Sequence, residues 1–267
     1  MVELADTLAL GANGETLGGS NPSIRTMYHS RKQLIAIALN AEISLKDMKL
    51  SNNSLLWPLE KWVTAELCRL TPAFLGTKSL SFLSLCSSLL ILTSYYFAGR
   101  IPFLLFAASF FILAQWAFDV LDGAIGRLRK EGFVRWGFYI DHLFDYFFMS
   151  AVVFGFWFLI PQSKFQILIL FFLWSSIMVN FFLFYSIVKD KEPDLAISFG
   201  RFSPIEFRLL VILFNTMFYF FRSNMRELVD RYLPVLNIIL FAAVIVVIYV
   251  YQKKINAYDI GEKEDHV

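Results

Sequence analysis

Long apolar stretches without a single charged residue recur at 79–98, 101–118, 165–188 and 233–251. Each comes close to the about 20 residues that a helix needs to cross about 30 Å of hydrocarbon. A fifth stretch, 138–160, is long enough but carries Asp141, His142 and Asp145 near its start. A sixth, about 204–221, opens with Glu206 and Arg208 and is clean only from Leu209. Ser203-Pro204-Ile205-Glu206 supports a helix start there: Ser suits the cap, Pro the first turn, and Glu three residues on completes a capping box. Runs this long and uniformly apolar do not alternate as barrel strands must. The pattern predicts an all-α integral membrane bundle of six transmembrane helices, and no internal repeat of fixed period is visible.

Before residue 71 the pattern changes. Leu55, Leu56, Leu59, Trp62, Val63, Leu67 and Leu70 are interrupted by Glu60, Lys61, Glu66 and Arg69. This is an amphipathic rhythm, and it predicts an N-terminal helix lying in the membrane interface. Thr71-Pro72 ends it before the first span. Residues 1–30 are rich in small and polar residues and lack a basic segment followed by an apolar core, so no secretory signal is expected. Gly11, Gly14, Gly18 and Gly19 match neither the Walker nor the dinucleotide spacing and read as part of a flexible arm. The expected organisation is a partly flexible cytosolic arm over 1–54, a membrane domain over 55–251 and a charged cytosolic tail over 252–267.

Composition agrees with a membrane class. Hydrophobic residues make up 57% of the chain and charged residues 17%, against about 25% in ordinary soluble domains. With six spans, the connections 122–137 and 189–203 and the tail share one side. They hold Arg127, Arg129, Lys130, Arg135, Lys189, Lys191, Arg201, Lys253, Lys254 and Lys263, against Arg100, Lys164, Arg222, Arg226 and Arg231 opposite. Ten against five places the first side, and both termini, in the cytosol. Arg222, Arg226 and Arg231, all in the last exterior loop, run against that assignment. A net charge of +2 is fully explained by topology and phosphate binding, so no nucleic-acid partner is expected. Cys68 and Cys86 lack metal-site spacing. Asn180, Asn215 and Asn237 inside spans are expected to join helices by hydrogen bonds.

Four aspartates concentrate the chemistry. An ionised carboxylate at bilayer depth costs roughly 2.5–3.5 kcal/mol even on lenient insertion scales, so it persists where it meets water, a metal or a partner. At about 100° per residue, Asp119 and Asp122 lie about 60° apart on a helix and Asp141 and Asp145 about 40°, so each pair shares a face. The short connection 123–140 predicts that their helices pack as antiparallel neighbours, forming a cup of four carboxylates at one membrane depth. Hard oxygen donors favour Mg²⁺, Mn²⁺ or Ca²⁺ over Zn²⁺. Gly123, Gly126 and Gly137 would let a ligand approach the backbone, and the fork of Arg127 suits a phosphate oxygen. Metal cup, open backbone and guanidinium together describe a diphosphate site.

The stretch Asp119-Val-Leu-Asp122-Gly123-Ala-Ile-Gly126-Arg127, then Gly137-Phe-Tyr-Ile-Asp141-His-Leu-Phe-Asp145, resembles the signature of the CDP-alcohol phosphotransferases: D-x-x-D-G-x-x-A-R, a spacer, and G-x-x-x-D-x-x-x-D. Six spans preceded by an amphipathic segment are also similar to that family's architecture. Gly126 stands where the family usually has Ala, which keeps the position small, and the spacer 128–136 is slightly longer than usual. The resemblance implies that Asp119, Asp122 and Asp141 bind divalent metal, Mg²⁺ or Mn²⁺, as two ions. Asp145 would help hold the second ion or act as general base. Gly123, Gly126 and Arg127 would line the cytidine diphosphate pocket, with Gly137 keeping its helix close. The implied enzyme is a multi-pass membrane phosphotransferase of phospholipid biosynthesis with its active site facing the cytosol. It would move a phospho-alcohol group from a CDP-alcohol donor to an alcohol or lipid acceptor and release CMP. A homodimer among membrane lipids is the partner arrangement that the resemblance suggests.

Donor and acceptor are less closely defined. His142 after Asp141 is similar to the Asp-His pair of the choline and ethanolamine branch, although an interfacial histidine explains it equally well. Arg201 and Arg208 are placed to bind an acceptor phosphate or, as readily, lipid headgroups. Two other classes of function share these features: an inactive membrane scaffold of the same fold, and a carboxylate-lined ion transporter.

Overall fold

A computed structural model describes residues 56–188 and 204–265. Among these residues the chain is helical, with no strand. Helix α1 spans Trp57–Leu70, α2 Thr77–Ala98, α3 Leu104–Leu128, α4 Val134–Leu159, α5 Lys164–Val188, α6 Pro204–Phe220 and α7 Arg222–Asp265. A single 3₁₀ turn, Pro161–Ser163, joins α4 to α5. Residues 1–55, Ser203 of the expected capping box and Arg201 lie outside the described residues.

Five of these helices, not six, are long and apolar enough to cross a membrane: α2, α3, α4, α5 with its preceding turn, and α7. Of the six expected spans the one outside this set is α6, with 17 described residues. At about 1.5 Å per residue it covers about 25 Å, short of the about 30 Å of a hydrocarbon core. It nonetheless runs along α3 in antiparallel register. Near its start Arg208 meets Asp119, in its middle Asn215 meets Ser109, and near its end the Tyr219 ring lies 4.8 Å from Phe106. The last helix does not stop at residue 251 but continues to Asp265.

Close approach of α2 and α4 organises the bundle. A side chain at Gly155 would place its Cβ 2.2 Å from the Tyr95 ring, so α4 can lie against α2 there only with glycine at this position. Tyr95 is fully buried and donates to Asn215 Oδ1 at 2.8 Å, while Asn215 Nδ2 donates to Ser109 at 3.0 Å. One polar chain thus pins α2, α3 and α6. The core around it includes Ile91, Ala98, Leu105, Ala108, Ile112 and Val152. Asn237 also joins helices, reaching Gln166 of α5, but Asn180 bonds only the Ser176 carbonyl of its own helix.

The expectation that α3 and α4 pack as close neighbours is corrected here. Both lie on α2, and they touch one another at few points. Their carboxylate pairs therefore face across a gap.

The connections at the two ends carry their own locks. The start of α2 has Gly76 at its cap and no side-chain partner of its own; Glu131, from the α3–α4 loop, accepts the Thr77 N–H at 3.2 Å. Arg129 donates to the carbonyls of Pro72, Ala73 and Leu75, which fixes the α1–α2 turn against the end of α3. At the opposite end Arg222 donates to the Gly99 carbonyl at 2.8 Å and Arg226 to that of Leu159 at 3.0 Å. These are the C-terminal carbonyls of α2 and α4, where cations are favoured by the helix dipole. Arg231 pairs with Glu227. The three arginines that ran against the charge count therefore have structural partners.

Candidate functional site

At the aspartate end, α3 contributes Asp119 and Asp122 from its last turns and α4 contributes Asp141 and Asp145 from its first. The four carboxylates lie within electrostatic reach of one another. Asp122 is the deepest, 2% exposed; Ser81 of α2 donates to its Oδ2 at 2.6 Å, and among the described residues its buried Oδ1 has no hydrogen-bond partner. Asp145 is the more open of the two carboxylates paired with Arg208, with 44% of its side chain exposed against 19% for Asp119.

The gap is bridged by a residue from a third element. Arg208 of α6 is 2% exposed, and its Nη2 lies 3.2 Å from both Asp119 Oδ2 and Asp145 Oδ1. Its Nε donates to Gln115 Oε1 at 3.1 Å, and Gln115 in turn donates to Ser84 Oγ at 3.1 Å. The Phe148 ring lies beneath the guanidinium, 4.9 Å from its carbon, in cation–π contact. Arg208, which the sequence offers as a phosphate or headgroup contact, has the site's own carboxylates as its partners in this structure.

The glycines separate into different roles. At Gly123 a Cβ would stand 3.3 Å from Arg127 Nη1, so the guanidinium folds back over bare backbone. At Gly126 a Cβ would meet Thr77 Oγ1 at 2.9 Å. The close approach there is helix to helix, between α3 and α2, and Thr77 also donates to the Asp122 carbonyl at 3.2 Å. Gly137 does not hold α4 against a neighbour, since nothing lies within 4 Å of the position a Cβ would take. His142 donates from Nδ1 to the Phe138 carbonyl at 2.7 Å and packs against the rings of Phe138 and Phe182 at the α4–α5 contact.

Helix α1 reaches the same region. Glu206 Oε1 accepts the Leu56 N–H at 3.3 Å, tying the start of α1 to the first turn of α6. Glu60 lies within electrostatic reach of Arg208 and Glu206. Burial pushes its carboxyl above the ordinary value, while the Trp116 side chain and the nearby Arg208 charge work in the other direction. On the opposite face Leu59 and Trp62 are exposed, whereas Thr64 and Cys68 are buried, giving the amphipathic division expected of an interfacial helix.

Sequence reasoning missed Ser81, Gln115, Glu60 and the pairing partners of Arg208. A polar residue inside an apolar run, such as Gln115, was the available signal, because a buried amide demands partners.

A divalent cation can be tested against this donor set. Among the described residues no three His, Cys, Asp or Glu side chains stand close enough to hold one. The donors are nevertheless all hard oxygens, and the orphaned Asp122 Oδ1 is the kind of atom a cation would satisfy. The residues fit such an ion in chemistry, with two of the four carboxylates held by Arg208.

Residues 77–253 match the family model described as CDP-alcohol phosphatidyltransferase. None of the curated proteins or solved structures compared with the chain matches it.

Proposed function

Because the chain belongs to the CDP-alcohol phosphatidyltransferase family, and its apolar helices make it a multi-pass membrane protein, we propose that it transfers a phospho-alcohol group from a CDP-alcohol to an acceptor alcohol, with release of CMP. The observation that carries this reading is the meeting of two carboxylate pairs across a gap beside Arg127 and the bare backbone of Gly123.

In this reading Asp119, Asp122 and Asp141 would hold Mg²⁺ or Mn²⁺, and Asp145 would help hold a second ion or act as the general base. The bound ions supply charge neutralisation on the diphosphate. Arg127 and the Gly123 backbone receive the cytidine diphosphate, the guanidinium by charge-assisted hydrogen bonds to phosphate oxygens. Gly137, with open space beside it, lines the same approach; Gly126 acts by letting α2 and α3 close behind Asp122. Asp145, the more open of the two Arg208-paired carboxylates, takes the proton of the acceptor hydroxyl. The hydroxyl oxygen then forms a bond to the phosphorus that carries the donor alcohol. The bond from that phosphorus to the bridging oxygen breaks, and its electron pair leaves with CMP.

We place the site and both termini on the cytosolic face. The antiparallel run of α6 along α3, short as that helix is, supports an even number of passes. The basic count supports the orientation, and the arginines at the other end have helix carbonyls and Glu227 as partners. The test is CMP release by the purified protein with Mg²⁺ or Mn²⁺ and a panel of CDP-alcohols. Turnover that disappears in Asp145→Asn supports the enzyme. Absence of turnover with every donor would leave the inactive scaffold, and ion flux sensitive to Asp119→Asn would instead favour a transporter.

A further inference from the structure

A buried guanidinium between two carboxylates that are expected to ligate metal is the feature that the proposed reaction does not use. Three observations bear on it. First, a single nitrogen, Nη2, serves both Asp119 and Asp145, at 3.2 Å each. Charge-assisted N–H···O bonds normally close to about 2.7–2.9 Å, and a strong Arg–carboxylate pair uses two parallel bonds. This is one donor divided between two acceptors, and it is long to both. Second, the hold leaves the site unsatisfied, because Asp122 Oδ1 remains buried without a partner. A monovalent fork with Nε on Gln115 and Nη2 on Asp119 and Asp145 does not serve it, whereas a hard divalent cation takes six or more oxygens. Third, the guanidinium has other anchors. Gln115 fixes its Nε, Phe148 supports its face, and Glu60 of α1 lies within electrostatic reach on the other side.

We propose that Arg208 is the resident counter-cation of the site, and that its guanidinium yields Asp119 and Asp145 to a divalent ion on loading while staying anchored at Gln115 and Phe148. The inference rests on the metal-dependent reading above and adds a device to it. Without metal, carboxylates facing one another across a gap would repel, and the arginine keeps them together in a ready geometry. Loading then exchanges one positive charge for two. Arg208 is a positioning residue in this account, acting through the carboxylates.

The consequence is opposite in sign to that of a residue that merely builds the site. Removing a positive charge a few ångströms from a cation site tightens cation binding, while the metal-free protein loses its internal neutralisation. The probe is Mn²⁺ on the full chain purified in detergent, read as thermal unfolding in EDTA and as Mn²⁺ affinity from the free-ion EPR signal. For Arg208→Gln the expected result is a lower melting temperature in EDTA together with Mn²⁺ binding tighter by at least about tenfold. Arg208→Lys, which keeps the charge, stays near wild type. Arg208→Met, which also removes the charge but keeps an unbranched stem against Phe148, shifts affinity in the same direction; it decides the matter if Arg208→Gln does not fold. Unchanged or weaker Mn²⁺ binding in Arg208→Gln, or in Arg208→Met where that variant must decide, overturns the inference while leaving the metal site standing. If wild type itself binds no Mn²⁺ and Asp122→Asn behaves identically, the metal reading falls, and the inference with it.

Discussion

Arginines at the two ends of this bundle meet different partners, and the difference separates architecture from chemistry. At the end away from the aspartates, Arg222 and Arg226 donate to the last carbonyls of α2 and α4. Those carbonyls have no partner within their own helices, and a cation there also complements the dipole, so the guanidinium completes secondary structure. At the aspartate end, Arg208 donates to two side-chain carboxylates, one of them 44% exposed. Nothing in the secondary structure requires those carboxylates. A cation that closes a helix is architecture; a cation set against acids at a solvent-open gap marks a place where a ligand's charge is expected.

The comparison can be broken most severely at the aspartates. Asp122→Asn keeps size and one acceptor for Ser81 but removes the charge, and it should lower CMP release by at least about a hundredfold, more than the loss of a residue that only orients a ligand. Its thermal unfolding in EDTA should be no worse than wild type. An active Asp122→Asn would contradict the assignment of chemistry to this end.

Gly155→Ala probes the other end. The added methyl meets the Tyr95 ring, and overpacking of this kind costs typically about 1–3 kcal/mol. The expected outcome is a lower melting temperature with unchanged turnover per folded molecule. A variant as stable as wild type would mean that α2 and α4 can separate freely, and that Gly155 does not set their approach. Arg226→Gln is a milder version, expected to cost about 1 kcal/mol through loss of the Leu159 carbonyl partner and to leave donor preference untouched. A large activity loss without destabilisation would erase the distinction between the two ends.

The smallest expected effect lies at Glu60, on the border between architecture and site. Burial raises its carboxyl, so the folded protein favours the protonated form. As pH climbs from below the unfolded carboxyl value of about 4.3 through the raised folded value, wild type should lose stability relative to Glu60→Gln, and the gap should then level off. Melting curves of the two proteins across that range check it. A gap that widened in the other direction would mean that Trp116 and Arg208 together outweigh burial at this position.

The parts of this protein legible in its sequence share one physical property: they are local. A period of 3.6 residues puts Asp119 with Asp122 and Asp141 with Asp145 without reference to anything distant, and an uncharged run such as 165–188 declares a helix by length alone. Amphipathicity over 55–70 likewise marked α1, observed at Trp57–Leu70. The role of Gly126 was only half legible. Its smallness could be read, but whether the neighbour was a ligand or Thr77, 49 positions earlier, could not. The α3–α4 neighbourhood was misread for a related reason. A short loop limits how far apart two helices can be, but side-chain packing decides which surface each one covers, and here Tyr95 against Gly155 draws α4 onto α2.

Arg208 shows where local reasoning stops. It is 89 positions from Asp119 and 63 from Asp145, and its interior place depends on three helices at once. Ser81 under Asp122 and Glu131 over the start of α2 are likewise pairings across 41 and 54 positions. By itself the sequence determined the class, the helices and the two acidic faces, because hydrophobic length and helical period act within a few turns of chain. Only the tertiary structure decided that those faces stand across a gap with a buried arginine between them. Desolvated charges must find partners wherever the packed helices bring them, and packing is a property of the whole bundle.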